Sequence, residues 1–342
     1  MGVTMKQIAE LANVSRGTVD KVLNNRPGVK PATQEKVMRI VKELHYQPNI
    51  LGKALVQSKS PTKIGIILTP EFNPYIQELL LGIQKAKEEY GSFGIEIITK
   101  MLTTLESAEQ LAILNELISQ NINGLAIFPL NDTQIISRVN QLVHSNVPVV
   151  TFNSKTEGIR SLCFIGQDHY KGGRAAAELL LKTLPGQGRH QVGVIVSSSI
   201  LSCHHDRLRG FTEKLLECGD SFSILSVQEN QDRKEDAFRI TLEYCNRCPA
   251  LDAIYITGGG VAGVGSALEI AEMDHRVRVI CHDVTPDSTD LLKKGIVDFI
   301  LGQDPTEQGY QLVKVLFEYC IKGTTPPREI EIPVTITIKE TL

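Results

Sequence analysis

The spacing of apolar residues changes once along the chain, near residue 62. Before that point apolar side chains recur at helical intervals in three short runs. Thr4 with Gln7 three positions on reads as a capping box that opens a first helix, Met5 to Ala12, with Ile8, Leu11 and Ala12 on its inner face. Asn13, Val14 and Ser15 make a turn. Ser15 caps a second helix that runs to about Leu23 with Val19, Val22 and Leu23 inward, and Asn24-Asn25 with Pro27-Gly28 ends it. Pro31 stands where a first turn tolerates proline, and Val37, Ile40, Val41 and Leu44 form the buried stripe of a third helix. Two short helices joined by a tight turn and packed by a third make a helix-turn-helix plan.

From Thr62 onward, short apolar runs alternate with helical stretches. "KIGIIL", "IEIIT", "GLAIFP", "VPVVTF", "LCFIG", "VGVIV", "DAIYIT", "VRVIC" and "VDFIL" read as nine strands of parallel sheets covered on both faces. Nine is too many for one comfortable open sheet, so two are expected. The expected fold is thus an all-α helix-turn-helix head, 1–46, a hinge and linker, 47–61, and an α/β body, 62–342, of two lobes with parallel, doubly wound sheets. The first lobe is placed at about 62–160 and 299–322, the second at about 161–298 and 323–342 with the last strand.

Composition leaves that picture in place: 342 residues with 42% hydrophobic and 22% charged content suit an ordinary globular protein with two or three cores. No run is long enough to span a membrane, and "MGVTMKQIAE" lacks the layout of a signal peptide, so the expected address is the cytoplasm. The seven cysteines stand singly except Cys245 and Cys248, and a lone C-x-x-C reads as plain thiols rather than zinc or redox chemistry. Charge adds more. The net of −3 conceals ten basic and four acidic residues in positions 1–60, which leaves 26 basic and 35 acidic in the remainder. That split predicts a small polyanion-binding head on an acidic body.

The second helix carries the corresponding surface. From Ser15 to Asp20 only Val19 is a large apolar residue, so the first turns can lie in a major groove and present Ser15, Arg16, Thr18 and Lys21 to base edges and phosphates. "TMKQIAELANVSRGTVDKVLNNRPGVKPATQEKVMRIVKELHYQPN" resembles the DNA-binding head of the lactose/galactose repressor family of bacterial regulators, through A-x-x-A-x-V-S-x-x-T-V, then V-L-N, then Y-x-P-N. The resemblance implies base contacts from Arg16, Gly17 and Lys21, and phosphate or cap contacts from Thr4, Ser15, Thr18 and Asn24. It further implies that "NILGKALVQSKSPTK" holds a hinge that becomes helical on DNA and inserts Leu55 into the minor groove beside Lys53, so that a homodimer shares one palindromic operator. Two departures stand out: Asp20 replaces the family's usual Ser, and Gly52 its usual Ala.

Ligands of parallel sheets sit at the carboxyl ends of strands, here the cleft between the lobes. Those ends carry Phe72, Asn73, Tyr75, Asn131, Asp132, Asn153, His205, Arg207, Gly259, Asp283 and Gln303. Amides, carboxylates and aromatic rings together suit a hydroxylated ligand with an apolar face. The body resembles periplasmic sugar-binding proteins of the ribose-binding type. By that likeness sugar contacts fall on Asn73, Tyr75, Asn131, Asn153, Asp283 and Gln303, while His205 stands in place of an Arg and a glycine near Gly259 in place of an Asn. The implied partners are operator DNA and a small effector, a monosaccharide or related polyol; no cofactor, metal or membrane is expected.

One rival reading rests on "IYITGGGVAGVG", where Gly258, Gly260 and Gly263 spell G-x-G-x-x-G between a strand and a helix, with Asp283 twenty residues on, as in a nicotinamide-dinucleotide oxidoreductase. The motif lies in the second half of the body rather than at its first strand. No nucleophile, base and orienter set accompanies it, and Cys203, His204, His205 and Asp206 are too crowded for a metal site. A periplasmic transport receptor would not carry a basic helix-turn-helix. The sequence therefore predicts a regulator, a repressor rather than an enzyme.

Overall fold

The computed structural model describes residues 3–23, 27–44, 61–71, 73–184 and 188–342. The head is α1 (Met5–Ala12), α2 (Arg16–Leu23) and α3 (Pro31–Glu43). The capping box forms: Gln7 N donates to Thr4 Oγ1 (3.3 Å) and Thr4 N donates to Gln7 Oε1 (2.8 Å). Asn13 closes α1 in the left-handed region (φ 55°), and Thr18 N donates to Ser15 Oγ (3.1 Å) at the start of α2. Ile8, Ala9, Ala12, Val19, Val22, Val37 and Ile40 form the core. Leu11, expected inside, is exposed and Ala9 takes its place. At about 100° per residue the two lie equally far around the helix from the Ile8–Ala12 direction, and the closely packed side admits the smaller one.

The body continues with β1 (Thr62–Leu68), α4 (Pro74–Tyr90), β2 (Ile95–Met101), α5 (Ser107–Ser119), β3 (Gly124–Ile127), α6 (Thr133–His144), β4 (Val149–Phe152) and β5 (Cys163–Gly166). Next come α7 (His169–Thr183), β6 (His190–Val196), α8 (Ser202–Leu216), β7 (Phe222–Glu229), α9 (Lys234–Arg247), β8 (Leu251–Ile256), α10 (Val261–Ile270), β9 (Arg278–His282), α11 (Pro286–Lys294) and β10 (Phe299–Gly302). The chain ends with α12 (Pro305–Phe317), β11 (Glu329–Glu331) and β12 (Thr335–Thr337). Two six-stranded sheets result, in the orders β11-β5-β4-β3-β1-β2 and β12-β10-β9-β8-β6-β7. All pairs are parallel except β12 with β10. Helices cover both faces: alternate residues of β8 serve two cores, Ile254 and Ile256 packing with Val264 and Leu268, Ala253 and Tyr255 with Ala177 and Phe211.

The lobes divide differently from the expectation. Residues 163–166 pair with β4 and belong to the first lobe, not to a second lobe starting at 161; residues 299–302 pair with β9 and belong to the second; and β11 joins the first. Each of the first two crossings thus falls after a strand rather than before it, because strand pairing is decided by distant partners that "CFIG" and "FILG" do not reveal. β7 was not among the expected strands. It lies at a sheet edge with one half-exposed face, so its apolar residues alternate instead of running on. The chain crosses between lobes three times, and Gln167 Nε2 ties the crossings together by donating to Gly302 O (2.9 Å) and Pro333 O (3.3 Å).

Candidate functional site

On the head, the start of α2 offers a polar face. Arg16, Gly17 and Lys21 are exposed, as are Thr4 and Ser15, whereas Thr18 is half-buried and shares a hydrogen bond with Ser15 (2.9 Å between hydroxyls). Asn24, Lys53, Leu55 and Phe72 lie outside the described residues.

In the body, the strand ends converge from both lobes. Asn73 caps α4 by accepting from Tyr75 N (3.0 Å), and its Nδ2 donates across the cleft to Asp232 Oδ2 (2.8 Å). Asp232 follows β7 with φ 59°, and its Oδ1 accepts from Gly259 N (2.7 Å). Asn153 and Asp283 follow β4 and β9, also in the left-handed region, at φ 56° and 69°. Such turns suit Asn and Asp and aim the side chain back over the sheet edge. A chain of bonds joins the lobes from Asp283: Gln303 Nε2 donates to its Oδ1 (2.7 Å), Gln308 Nε2 donates to Gln303 O (2.7 Å), and Tyr75 OH donates to Gln308 Oε1 (3.0 Å). Asn131 N donates to Ile200 O (2.9 Å) and Cys203 N to Ser154 Oγ (3.2 Å), so the cleft is closed along its length.

Arg207 lies at the centre, 2% exposed. Its Nη1 donates to Thr257 O (2.6 Å), while Nε and Nη2, together with Asn153 Oδ1 and Gln303 Oε1, find no partner among the described residues. A buried guanidinium with two unmatched nitrogen donors costs free energy until an acceptor meets it. Burial pushes the carboxyls of Asp283 and Asp232 up, and Arg207 opposes that shift in both. Burial, then the charge of Arg207, holds His169 and His282 well below the usual imidazole range and His204 at about 3, so these three rings are neutral donor-acceptors. Burial also pushes the Cys203 thiol up to about 11, which removes it as a nucleophile.

Of the expected cleft residues, Asn73, Tyr75, Asn153, Arg207, Asp283 and Gln303 come together. His205 does not: it is exposed, and His204, one residue and a quarter-turn earlier, faces inward on the same side of α8 as Arg207. The Asn131 side chain is exposed, and only its backbone joins the lobe contact; Asp132 caps α6. Gly259 serves Asp232, and a Cβ there would sit 3.1 Å from that residue's Cβ. Asp232, His169 and His282 escaped the sequence reading, and His204 entered it only within a cluster weighed as a metal site. Asp232 escaped because β7, the strand it terminates, was itself missed.

The glycine run has a packing explanation. A Cβ on Gly258 would stand 2.7 Å from Asp232 Oδ1, one on Gly260 would strike Asn230 Nδ2, and one on Gly263 would strike Lys234 O. The backbone N–H at the place where a pyrophosphate would bind already donates to a carboxylate, which would repel a second anion. The dinucleotide reading is therefore set aside.

Comparison with known proteins agrees with this geometry. A family model described as a periplasmic binding protein domain matches residues 64–324, and one described as bacterial regulatory proteins of the lacI family matches residues 4–49. The HTH-type transcriptional regulator CelR of Thermobifida fusca is 23% identical over 98% of this chain and 97% of its own. Catabolite control protein A of Staphylococcus aureus is 30% identical over 68% of each chain. Among solved structures, GanP, a glucose-galactose binding protein from Geobacillus stearothermophilus, superposes with a TM-score of 0.74 at 23% identity, over 82% of this chain and 99% of its own. A carbohydrate transporter solute binding protein from Agrobacterium radiobacter, in complex with D-arabinose, gives 0.75 at 19% identity, over 82% and 95%.

Proposed function

Since the chain belongs to the lacI family of bacterial regulatory proteins and carries a periplasmic binding protein domain as its body, we propose that this DNA-binding transcriptional regulator is a repressor whose operator affinity is set by a monosaccharide or related polyol in the cleft. The reading extends to a homodimer on a palindromic operator in the bacterial cytoplasm, acting without catalysis. Arg16, Gly17 and Lys21 read the major groove, Thr4, Ser15, Thr18 and Asn24 fix the register on phosphates, and Leu55 beside Lys53 wedges the minor groove. In the cleft, Arg207 donates to sugar oxygens; Asp232 and Asp283 accept from hydroxyls; Asn73, Asn153 and Gln303 orient them, and Phe72 with Tyr75 supplies the apolar wall.

The observation that carries this reading is the buried Arg207, with two nitrogen donors unmatched among the described residues and the carboxyl groups of two strand-end aspartates beside it. Such a set matches a neutral polyhydroxylated molecule, which supplies acceptors and donors without adding charge. A ligand alters operator affinity only by its preference for one lobe arrangement, typically about 1 to 3 kcal/mol. The test screens monosaccharides and polyols by thermal shift, then measures operator affinity with and without the ligand found. Asp283→Ala is expected to abolish the response while ligand-free folding and DNA binding stay near wild type. A variant that responds as wild type does puts the effector site elsewhere.

A further inference from the structure

The loop after Asn153 has two sides. Asn153 and Ser154 face the cleft, but from Lys155 onward the loop lines a separate groove of about 800 Å³, walled by residues 155–161 and the start of β11 on the first lobe and by α8 on the second. Four cationic and three acidic side chains line it. Two pairs cancel: Lys155 with Glu329 at 2.8 Å, and Arg209 with Asp206 at 3.1 Å. That leaves Arg160 and Arg328 against Glu157, and among the described residues neither guanidinium has an ion pair or hydrogen bond. Thr156 lies in the same wall. It is 6% exposed, and its hydroxyl has no partner among the described residues.

We propose that this groove is a second effector site, for a small organic anion of the phosphomonoester class. Two free guanidinium groups match the charge of a phosphoryl dianion and can each bind it through paired N–H donors. The groove has room for a carbon skeleton the size of a hexose. The cleft, by contrast, sets the carboxyl groups of Asp232 and Asp283 beside its single Arg207, whereas the groove offers two guanidinium groups, so the groove matches a dianion better than the cleft does. Both guanidinium groups stand on the first lobe, and the loop that carries Arg160 continues from Asn153 at the cleft, so groove and cleft are linked through that loop and any effect of one ligand on the other is reciprocal.

The experiment is isothermal titration of the full chain at fixed, near-physiological ionic strength, with glucose 6-phosphate and inorganic pyrophosphate as probes. Wild type, R160Q/R328Q and D283A are compared, with circular dichroism confirming that each is folded. Saturable binding is expected in wild type and in D283A, with Kd raised about tenfold or more in R160Q/R328Q, the loss expected when two charge-assisted contacts go. Undiminished binding in R160Q/R328Q overturns the proposal, as does loss in D283A alone, which moves the anion into the cleft. Absence of saturable binding by either probe at millimolar concentration overturns it too.

Discussion

His169, His204 and His282 are packed around Arg207, and none can take a proton without placing a second buried cation beside that guanidinium. Unfolded, each returns to the ordinary value of 6.5, so below that pH the unfolded chain binds more protons than the folded one. The contribution of these rings to stability is complete above 6.5 and is lost as the pH falls toward their folded values, 6.5 to about 3 for His204. Each histidine then supplies a slope of about 1.4 kcal/mol per pH unit. Asp232 and Asp283 act with the opposite sign, since their raised folded pKa values make protonation favour the folded state as acidification proceeds. Urea unfolding at about pH 7 and about pH 5 should show a less stable protein at the lower value, with His204→Asn narrowing the gap. An unchanged gap in the variant would mean that His204 titrates normally.

The helices show which features can be read locally. Capping box, turn and proline start in the head are decided within four residues, so all three helices follow from the sequence; the exchange of Leu11 for Ala9 depends on how closely neighbouring helices approach. α2 exposes Lys21 on its polar face, and Lys21→Ala should weaken specific operator binding by roughly 1 to 3 kcal/mol if it reads a base, or only flatten the salt dependence if it meets a phosphate. Equal binding by Lys21→Ala and Arg16→Ala variants and wild type would remove α2 from the groove. In the body the strand pattern gave the sheets, whereas sheet membership of β5 and β10 and the existence of β7 depended on distant pairing. Asp232 was lost from the expected site with β7. At the α9–α10 contact, Gly263→Ala should destabilise the second lobe by about 1 to 3 kcal/mol, because a Cβ there meets Lys234 O on a packed helix. A neutral result in chemical unfolding would reopen the question of why glycine stands there.

Across the whole molecule, neither lobe is continuous in sequence. The first lobe begins at β1 yet takes α12 and β11 from residues 305–331, and its core includes Leu312, Val313 and Leu316 from that late helix. The cleft inherits the same dispersion: its bond chain from Tyr75 to Asp283 runs through Gln303 and Gln308, so no stretch of the sequence contains the site. A ribosome, however, delivers the chain in order. Residues 3–44, whose three helices share their own core, are complete some 260 residues before α12 emerges, a lag on the order of 13 to 50 seconds at common synthesis rates of about 5 to 20 residues per second. During each round of translation the head can therefore fold while the first lobe still lacks the helix that closes its core, and the newborn regulator has its DNA-binding head before it has the body through which that head is controlled.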